Sequence, residues 1–417
     1  MKTYLKSLKL IFVLFGVMLL GIGCENTSRK IYTGLDCLEK NSFSELNERR
    51  VGLITNQTGL NQHGIQNVDL FLASPHVNLK AVFSPEHGFE GKVKAGEKIM
   101  SERESNSGIR FYSLYGKTRK PTPKMLRDID VLVFDIQDIG LRSYTYMSTM
   151  GLAMEAAGEQ GIDFIVLDRP NPLGGQKIDG NILDQRFSSF IGMYPIPYVH
   201  GLTPGELATL INESKWMNSM CKLSVIKLGN WKRNMSWKDT KLNWIPPSPN
   251  VPKSTTPIFM VATGIMGELG IFSIGIGTDF PFELMGAPWI QKDQFIEKMN
   301  QLNLPGVSFD PVTFSPTKGL FKGEEVQGVH IKITDLERAE LIKIQFHFME
   351  IHQQLYPDKN PFELTTPNQL SMFNKALGTD QILEVFSKKF KVEDIARFLT
   401  PDLSNFRKMS KTFYLYE

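Results

Sequence analysis

The sequence has 417 residues, 41 per cent of them hydrophobic, with 47 basic and 44 acidic side chains. So even a balance gives no electrostatic case for a nucleic-acid partner. No His/Cys cluster has the spacing of a zinc site, so no metal is expected, and the length suits two domains of ordinary globular composition.

Residues 1–23 read as an export leader outside the fold. Lys2, Lys6 and Lys9 form a positive start, and residues 10–20 are an apolar run too short to span a bilayer. Gly21 and Gly23 lead into Cys24. The pattern resembles a bacterial lipoprotein signal, with Cys24 as the lipidated first residue and 24–30 as a polar tether. A plain secretory signal is the alternative, and either exports the chain. Removing the leader takes away three lysines and no acid, leaving 44 side chains of each sign. No other segment is long and uncharged enough to span a membrane, so the expected anchor in the cell envelope, at the periplasm or outer membrane, is lipid alone. Cys37 and Cys221 remain, and their separation does not decide whether they pair.

Residues 51–56 read as the first core strand, opening into the polar loop Gln57-Thr58-Gly59. Residues 64–74 suit a short amphipathic helix, and 77–83 a buried strand, which together make a βαβ unit. Pro85 and Gly88 then fold Ser84-Pro85-Glu86-His87-Gly88 into a tight loop. Residues 92–120 are long and polar, and read as a lid or a substrate-facing excursion. The run 131–136 is nearly all apolar, as in strands buried on both faces. It opens into Asp138-Ile139-Gly140-Leu141-Arg142-Ser143-Tyr144-Thr145-Tyr146, dense in groups that bind polyols. A helix over 150–160 is closed by Gly161. The strand 164–168 opens into Arg169-Pro170-Asn171-Pro172.

Downstream, Tyr198-Val199-His200-Gly201 precedes Thr203-Pro204-Gly205-Glu206, which has the composition of a capped helix start: cap, proline, then Glu at the third position. Residues 223–228 read as a strand. The Pro-rich stretch 243–252 reads as a wall-forming linker or as a platform whose Trp244 stacks on a sugar. A helix over 259–267 leads to Glu268. From 291 the character changes: helices over 291–302 and 336–355, strands over 307–316 and 329–334, and short helices to the end. The expected layout is a 31–285 α/β domain with a parallel sheet and a smaller 286–417 α+β domain flanking its crevice.

Four apolar strands thus each end in a loop of polar, geometrically fixed residues: Asn56 and Thr58, Glu86 and His87, Asp135 with Asp138 and Arg142, and Arg169 with Asn171. That register predicts a crevice along the carboxyl edge of a parallel sheet. None of the loops is a GxGxxG or GxxxxGK[ST] sequence, so neither a dinucleotide nor a nucleoside triphosphate is expected, and no cofactor is assigned.

The segments Thr55-Asn56-Gln57-Thr58-Gly59, Phe83-Ser84-Pro85-Glu86-His87-Gly88, Asp135-Ile136-Gln137-Asp138-Ile139-Gly140-Leu141-Arg142-Ser143-Tyr144-Thr145-Tyr146, Asp168-Arg169-Pro170-Asn171-Pro172 and Gly286-Ala287-Pro288-Trp289 resemble the exo-β-N-acetylmuramidases, glycoside hydrolase family 171, formerly domain of unknown function 1343. The resemblance implies a Rossmann-like domain with a smaller C-terminal one. It also implies release of N-acetylmuramic acid from non-reducing ends of peptidoglycan fragments, with Glu86 as the catalytic Glu. One stretch departs: where many members carry Glu-Gly-Thr-Asn and Gly-Arg-Gly-Thr, this chain has Glu268-Leu269-Gly270-Ile271 and Gly275-Ile276-Gly277-Thr278. An Arg suits the lactyl carboxylate of muramic acid. With Ile276 there, Arg142 or Arg169 is expected to take that task.

Glycoside hydrolysis needs one carboxyl group protonated and one ionised. Glu86 is expected as general acid or acid/base, with Asp135, Asp138 or Glu268 as its partner. Asn56, Thr58, His87, Asp138, Arg142, Tyr144, Tyr146, Arg169, Asn171 and His200 are expected in substrate binding. The rival reading is a non-catalytic lipoprotein that captures muropeptides or glycans. A serine esterase is weaker, because no Gly-x-Ser-x-Gly elbow stands out.

Overall fold

A computed structural model describes residues 30–93, 102–104 and 108–417. Cys24, the leader and most of the tether lie outside the described residues. The strands are β1 (Arg50–Thr55), β2 (Asn78–Ser84), β3 (Glu102–Glu104), β4 (Arg110–Ser113), β5 (Val131–Asp135), β6 (Asp163–Leu167), β7 (Asp179–Ile182), β8 (Pro197–Val199), β9 (Leu223–Ile226), β10 (Leu284–Ala287), β11 (Val307–Phe314) and β12 (Val326–Ile333). The helices are α1 (Gly34–Lys40), α2 (Asn67–Ala73), α3 (Pro123–Leu126), α4 (Tyr146–Gln160), α5 (Pro204–Glu213), α6 (Trp237–Thr240), α7 (Thr256–Gly267), α8 (Lys292–Gln301), α9 (Leu341–Leu355), α10 (Pro361–Leu364), α11 (Pro367–Leu377), α12 (Gln381–Lys389), α13 (Val392–Leu399) and α14 (Ser404–Lys411).

The main sheet runs β3-β4-β2-β1-β5-β6-β9, parallel except for the edge strand β3. Counting the parallel strands in chain order gives 3-2-1-4-5-6, the doubly wound order whose direction reverses between β1 and β5. The strands alternate with a period of two, so both faces are apolar. Val51, Leu53, Val131 and Val133 pack with Leu35, Leu38, Val68 and Phe71 on the α1/α2 side. Ile54, Leu132 and Phe134 pack with Met150, Met154 and Leu207 on the α4/α5 side.

The excursion over 92–120 contributes β4, which joins the sheet beside β2, so part of it is scaffold. Its sequence, Arg110-Phe111-Tyr112-Ser113, is flanked by polar residues and too short to show a period. The hairpin of β7 and β8 also went unread, because proline and glycine dominate its ends. The capping box at Thr203 forms as the sequence predicts: the Thr203 hydroxyl accepts from the Glu206 amide at 3.2 Å, and Glu206 accepts from the Thr203 amide at 3.1 Å.

The smaller unit holds the antiparallel sheet β10-β12-β11 and helices α8 to α14. It takes in β10, which starts at Leu284, just ahead of the expected boundary. Helix α7 is tied to it by Gln345 of α9, which donates to the Val261 carbonyl at 3.0 Å and accepts from the Met266 amide at 2.8 Å. One core cluster runs from the α4 face of the main sheet into this unit. Cys37 and Cys221 are both free thiols.

Candidate active site

The loop after β2 is a tight turn closed by the Gly88 amide donating to the Pro85 carbonyl at 3.1 Å. Its third residue, His87, has φ +70°. This left-handed conformation strains a residue with a Cβ, and such strain gathers at functional loops. The His87 Nδ1 lies 2.7 Å from the Val93 carbonyl. A carbonyl only accepts, so Nδ1 carries the proton in this contact. The turn directs Glu86 into a cleft of about 760 Å³ between the carboxyl edge of the main sheet and the C-terminal unit.

Glu86 is 7 per cent exposed. The Thr145 hydroxyl donates to its Oε2 at 2.8 Å. Thr145 stands at the N-cap of α4, yet its side chain makes no capping bond, because its backbone is already helical at φ −70° and ψ −14° rather than extended as a capping residue's is. The same cleft is lined by His87, Ser143, Tyr144, Ser248 and, from the end of α7, Glu268. Burial raises the pKa of the Glu268 carboxyl. Behind the wall, Tyr146 is fully buried and donates to the Pro247 carbonyl at 2.6 Å. Burial, with the Glu86 and Asp138 charges, raises its phenol pKa against the Tyr144 and Asn56 hydrogen bonds that lower it. The Pro-rich stretch is therefore wall: Ser248, Pro249, Asn250 and Val251 line the cleft. Trp244 packs edge-on against Trp237, and its indole donates to the Val251 carbonyl.

Asp138 sits beside this wall, 3 per cent exposed. Its Oδ2 accepts from the Gly140 amide at 2.7 Å, while its Oδ1 has no partner among the described residues. Burial pushes its carboxyl up to about 7.

The other predicted residues are spent elsewhere. Asp135, expected as a catalytic partner, is fully buried and outside the cleft lining: Oδ1 accepts from Arg169 Nε at 2.6 Å and Oδ2 from Asn67 at 2.7 Å. It joins β5, α2 and the loop after β6. Arg142, expected to hold a substrate, clamps four main-chain carbonyls instead: Asn181 and Ile196 from one nitrogen, Ala376 and Leu377 from the other. Asn171 donates to the Leu202 carbonyl and accepts from the Leu173 amide. His200 accepts from the Leu202 amide, and burial pushes its ring down to about 3, so it stays neutral. Asn56 accepts from the amide and hydroxyl of Thr58, and Thr58 accepts from the Gln137 amide. Polar side chains of these types satisfy backbone groups at strand ends as readily as they bind sugars, and residue type alone does not separate the two.

Thr58 and Arg169 line a second, smaller recess of about 220 Å³ with Gln137 and Trp237. Its carboxylate, Asp36, is occupied by Thr33 and the Gln62 amide. The carboxyl edge is thus divided, and only the larger cleft holds Glu86 and Glu268. That cleft also takes Tyr115, Arg119, Phe190, Ile276, Lys318 and Lys375. Tyr115 and Arg119 come from the excursion, Phe190 from the segment between β7 and β8, and Lys318 and Lys375 from the C-terminal unit, where no sequence motif marked them; Ile276 belongs to the stretch that departs from the family pattern.

Two family models cover the chain: "Exo-beta-N-acetylmuramidase NamZ, N-terminal" over residues 51–255 and its C-terminal counterpart over 258–416. The chain belongs to the exo-β-N-acetylmuramidase family. It is 41% identical over 387 residues to the peptidoglycan β-N-acetylmuramidase NamZ of Bacillus subtilis (strain 168), covering 93% of this chain and 92% of the relative. Two crystal structures of DUF1343 family proteins from Bacteroides fragilis NCTC 9343 share the fold. One has a TM-score of 0.89 at 45% identity, the other 0.73 at 26%; each match covers 93% of this chain and 99% of the solved one. The family resemblance and the α/β architecture expected from the sequence both hold.

Proposed function

We infer that this chain is an exo-acting glycoside hydrolase that releases N-acetylmuramic acid from the non-reducing ends of peptidoglycan fragments. Its family and the activity of its Bacillus subtilis relative support the reaction. The observation that carries the reading onto this chain is the placement of Glu86, buried in a sugar-sized cleft with Glu268 on the same lining. Glu86 is the general acid or acid/base. Glu268 is the second carboxyl group, on the same cleft lining. Tyr144 forms part of the wall that the sugar meets.

The leader-like sequence of residues 1–23 and Cys24 supports a lipid-anchored enzyme of the cell envelope, where peptidoglycan is met. One experiment tests reaction and anchor together. Membrane fractions of bacteria expressing the full chain should release free N-acetylmuramic acid from peptidoglycan fragments, and Cys24→Ser should move that activity to the soluble fraction. Tight binding of muropeptides without any released sugar would favour the capture lipoprotein instead. Activity that stays with the membrane in Cys24→Ser would sink the lipid anchor.

A further inference from the structure

The sugar released by the proposed reaction carries a lactyl carboxylate, and a cleft selective for it needs a cation. Ile276, in the stretch that departs from the family pattern, lines the cleft and supplies none. Neither arginine expected to supply one reaches the cleft: Arg142 is spent on carbonyls and Arg169 on Asp135. Three cations do line it, namely Arg119, Lys318 and Lys375.

Their surroundings differ. Arg119 is exposed, with its guanidinium 4.3 Å from the centre of the Phe190 ring. Lys318 is exposed and donates to Asn250 Oδ1 at 3.2 Å. Exposed charges are hydrated and screened, and bind little. Lys375 is half-buried in the last turn of α11 and makes no hydrogen bond or ion pair with the described residues. An ammonium in the cleft lining with no counter-ion among the described residues is open to an anionic ligand. Its backbone is also fixed. The next two carbonyls, Ala376 and Leu377, accept from Arg142 at 3.2 and 2.7 Å, and Gly378 ends the helix at φ +77°. A cation held on an anchored helix end loses little freedom on binding.

We propose that Lys375 is the specificity-determining residue of the cleft, its ammonium pairing with the lactyl carboxylate of the muramyl sugar. Arg142 is the positioning residue that holds the helix end carrying it. The pairing rests on the muramidase reading for the identity of the sugar, but its test does not need turnover.

Binding is measured by calorimetry with N-acetylmuramic acid and with its lactyl amide, which has the same shape and no charge. The wild type should bind the acid about 10- to 100-fold more tightly than the amide, the range expected of a charge-assisted hydrogen bond. Lys375→Met should erase that difference, and Lys375→Arg should keep most of it. A preference for the acid that survives in Lys375→Met overturns the assignment, as does a wild type that does not distinguish the two ligands. A protein that binds the acid through Lys375 but releases no sugar from any muramide would refute the hydrolase reading and leave this one standing.

Discussion

Glu86→Gln is expected to lower kcat on a β-N-acetylmuramide by about 10²- to 10⁴-fold, the range that removal of a positioned acid or base gives. Gln has the shape of Glu and keeps an acceptor for the Thr145 hydroxyl, which lies 2.8 Å from Oε2 in the parent. The turn from Pro85 to Gly88 is closed by main-chain atoms and needs no carboxylate. The variant should therefore melt within a few degrees of the parent and still bind saccharide, so that the loss falls on kcat with little change in KM. Turnover within a few-fold of the parent would remove Glu86 from the chemistry. A large rise in KM with kcat intact would make it a binding group.

The second large effect is on stability and its pH dependence. Asp138 is buried, with one oxygen unpartnered among the described residues and its carboxyl pushed up to about 7 by burial. Unfolded, it titrates near 3.9. The folded state therefore holds this proton more tightly than the unfolded chain. The contribution of the protonated group is present in full below about pH 4, is lost as the pH rises through 7, and stays lost above it. Asn is the uncharged shape of the protonated acid and still accepts from the Gly140 amide. Asp138→Asn should match the parent within about 1 kcal/mol near pH 4 and become the more stable protein by pH 8, with a ceiling on the order of 4 kcal/mol. Asp168 is also pushed up to about 7 by burial, so the parent alone loses stability over the same window for two reasons. The difference between parent and variant isolates Asp138. Thermal melts at pH 4.5, 6 and 8 decide it, and a constant difference across that range would mean that Asp138 ionises as it does in the unfolded chain.

Much of the fold was legible because apolar runs that end in Pro and Gly loops leave few alternatives to a parallel sheet. The strands expected over 51–56, 131–136 and 164–168 form at Arg50–Thr55, Val131–Asp135 and Asp163–Leu167, and the capped helix starts at Pro204 as its residues predict. The start of α4 did not. Tyr146 reads as a loop residue because its helix has no side-chain cap to mark its start: the backbone of Thr145 is already helical, and its hydroxyl points to Glu86. The site was legible at Glu86, His87, Tyr144 and Glu268, which meet in one cleft. It was not legible at Arg142, Asp135, Asn171 and His200, whose side chains turn toward the backbone and one another. A sequence shows which groups a loop owns and not which way they point. Nor could it show that Lys375, far along the chain on a helix with no motif, reaches the same cavity.

The most direct measurement is a crystal structure of Glu86→Gln with a muramyl disaccharide bound. The account predicts the non-reducing sugar in the large cleft, with its glycosidic oxygen within hydrogen-bonding distance of residue 86. A disaccharide seated instead in the smaller recess beside Arg169 and Trp237, or lying in the cleft with that oxygen turned away from residue 86, would contradict it.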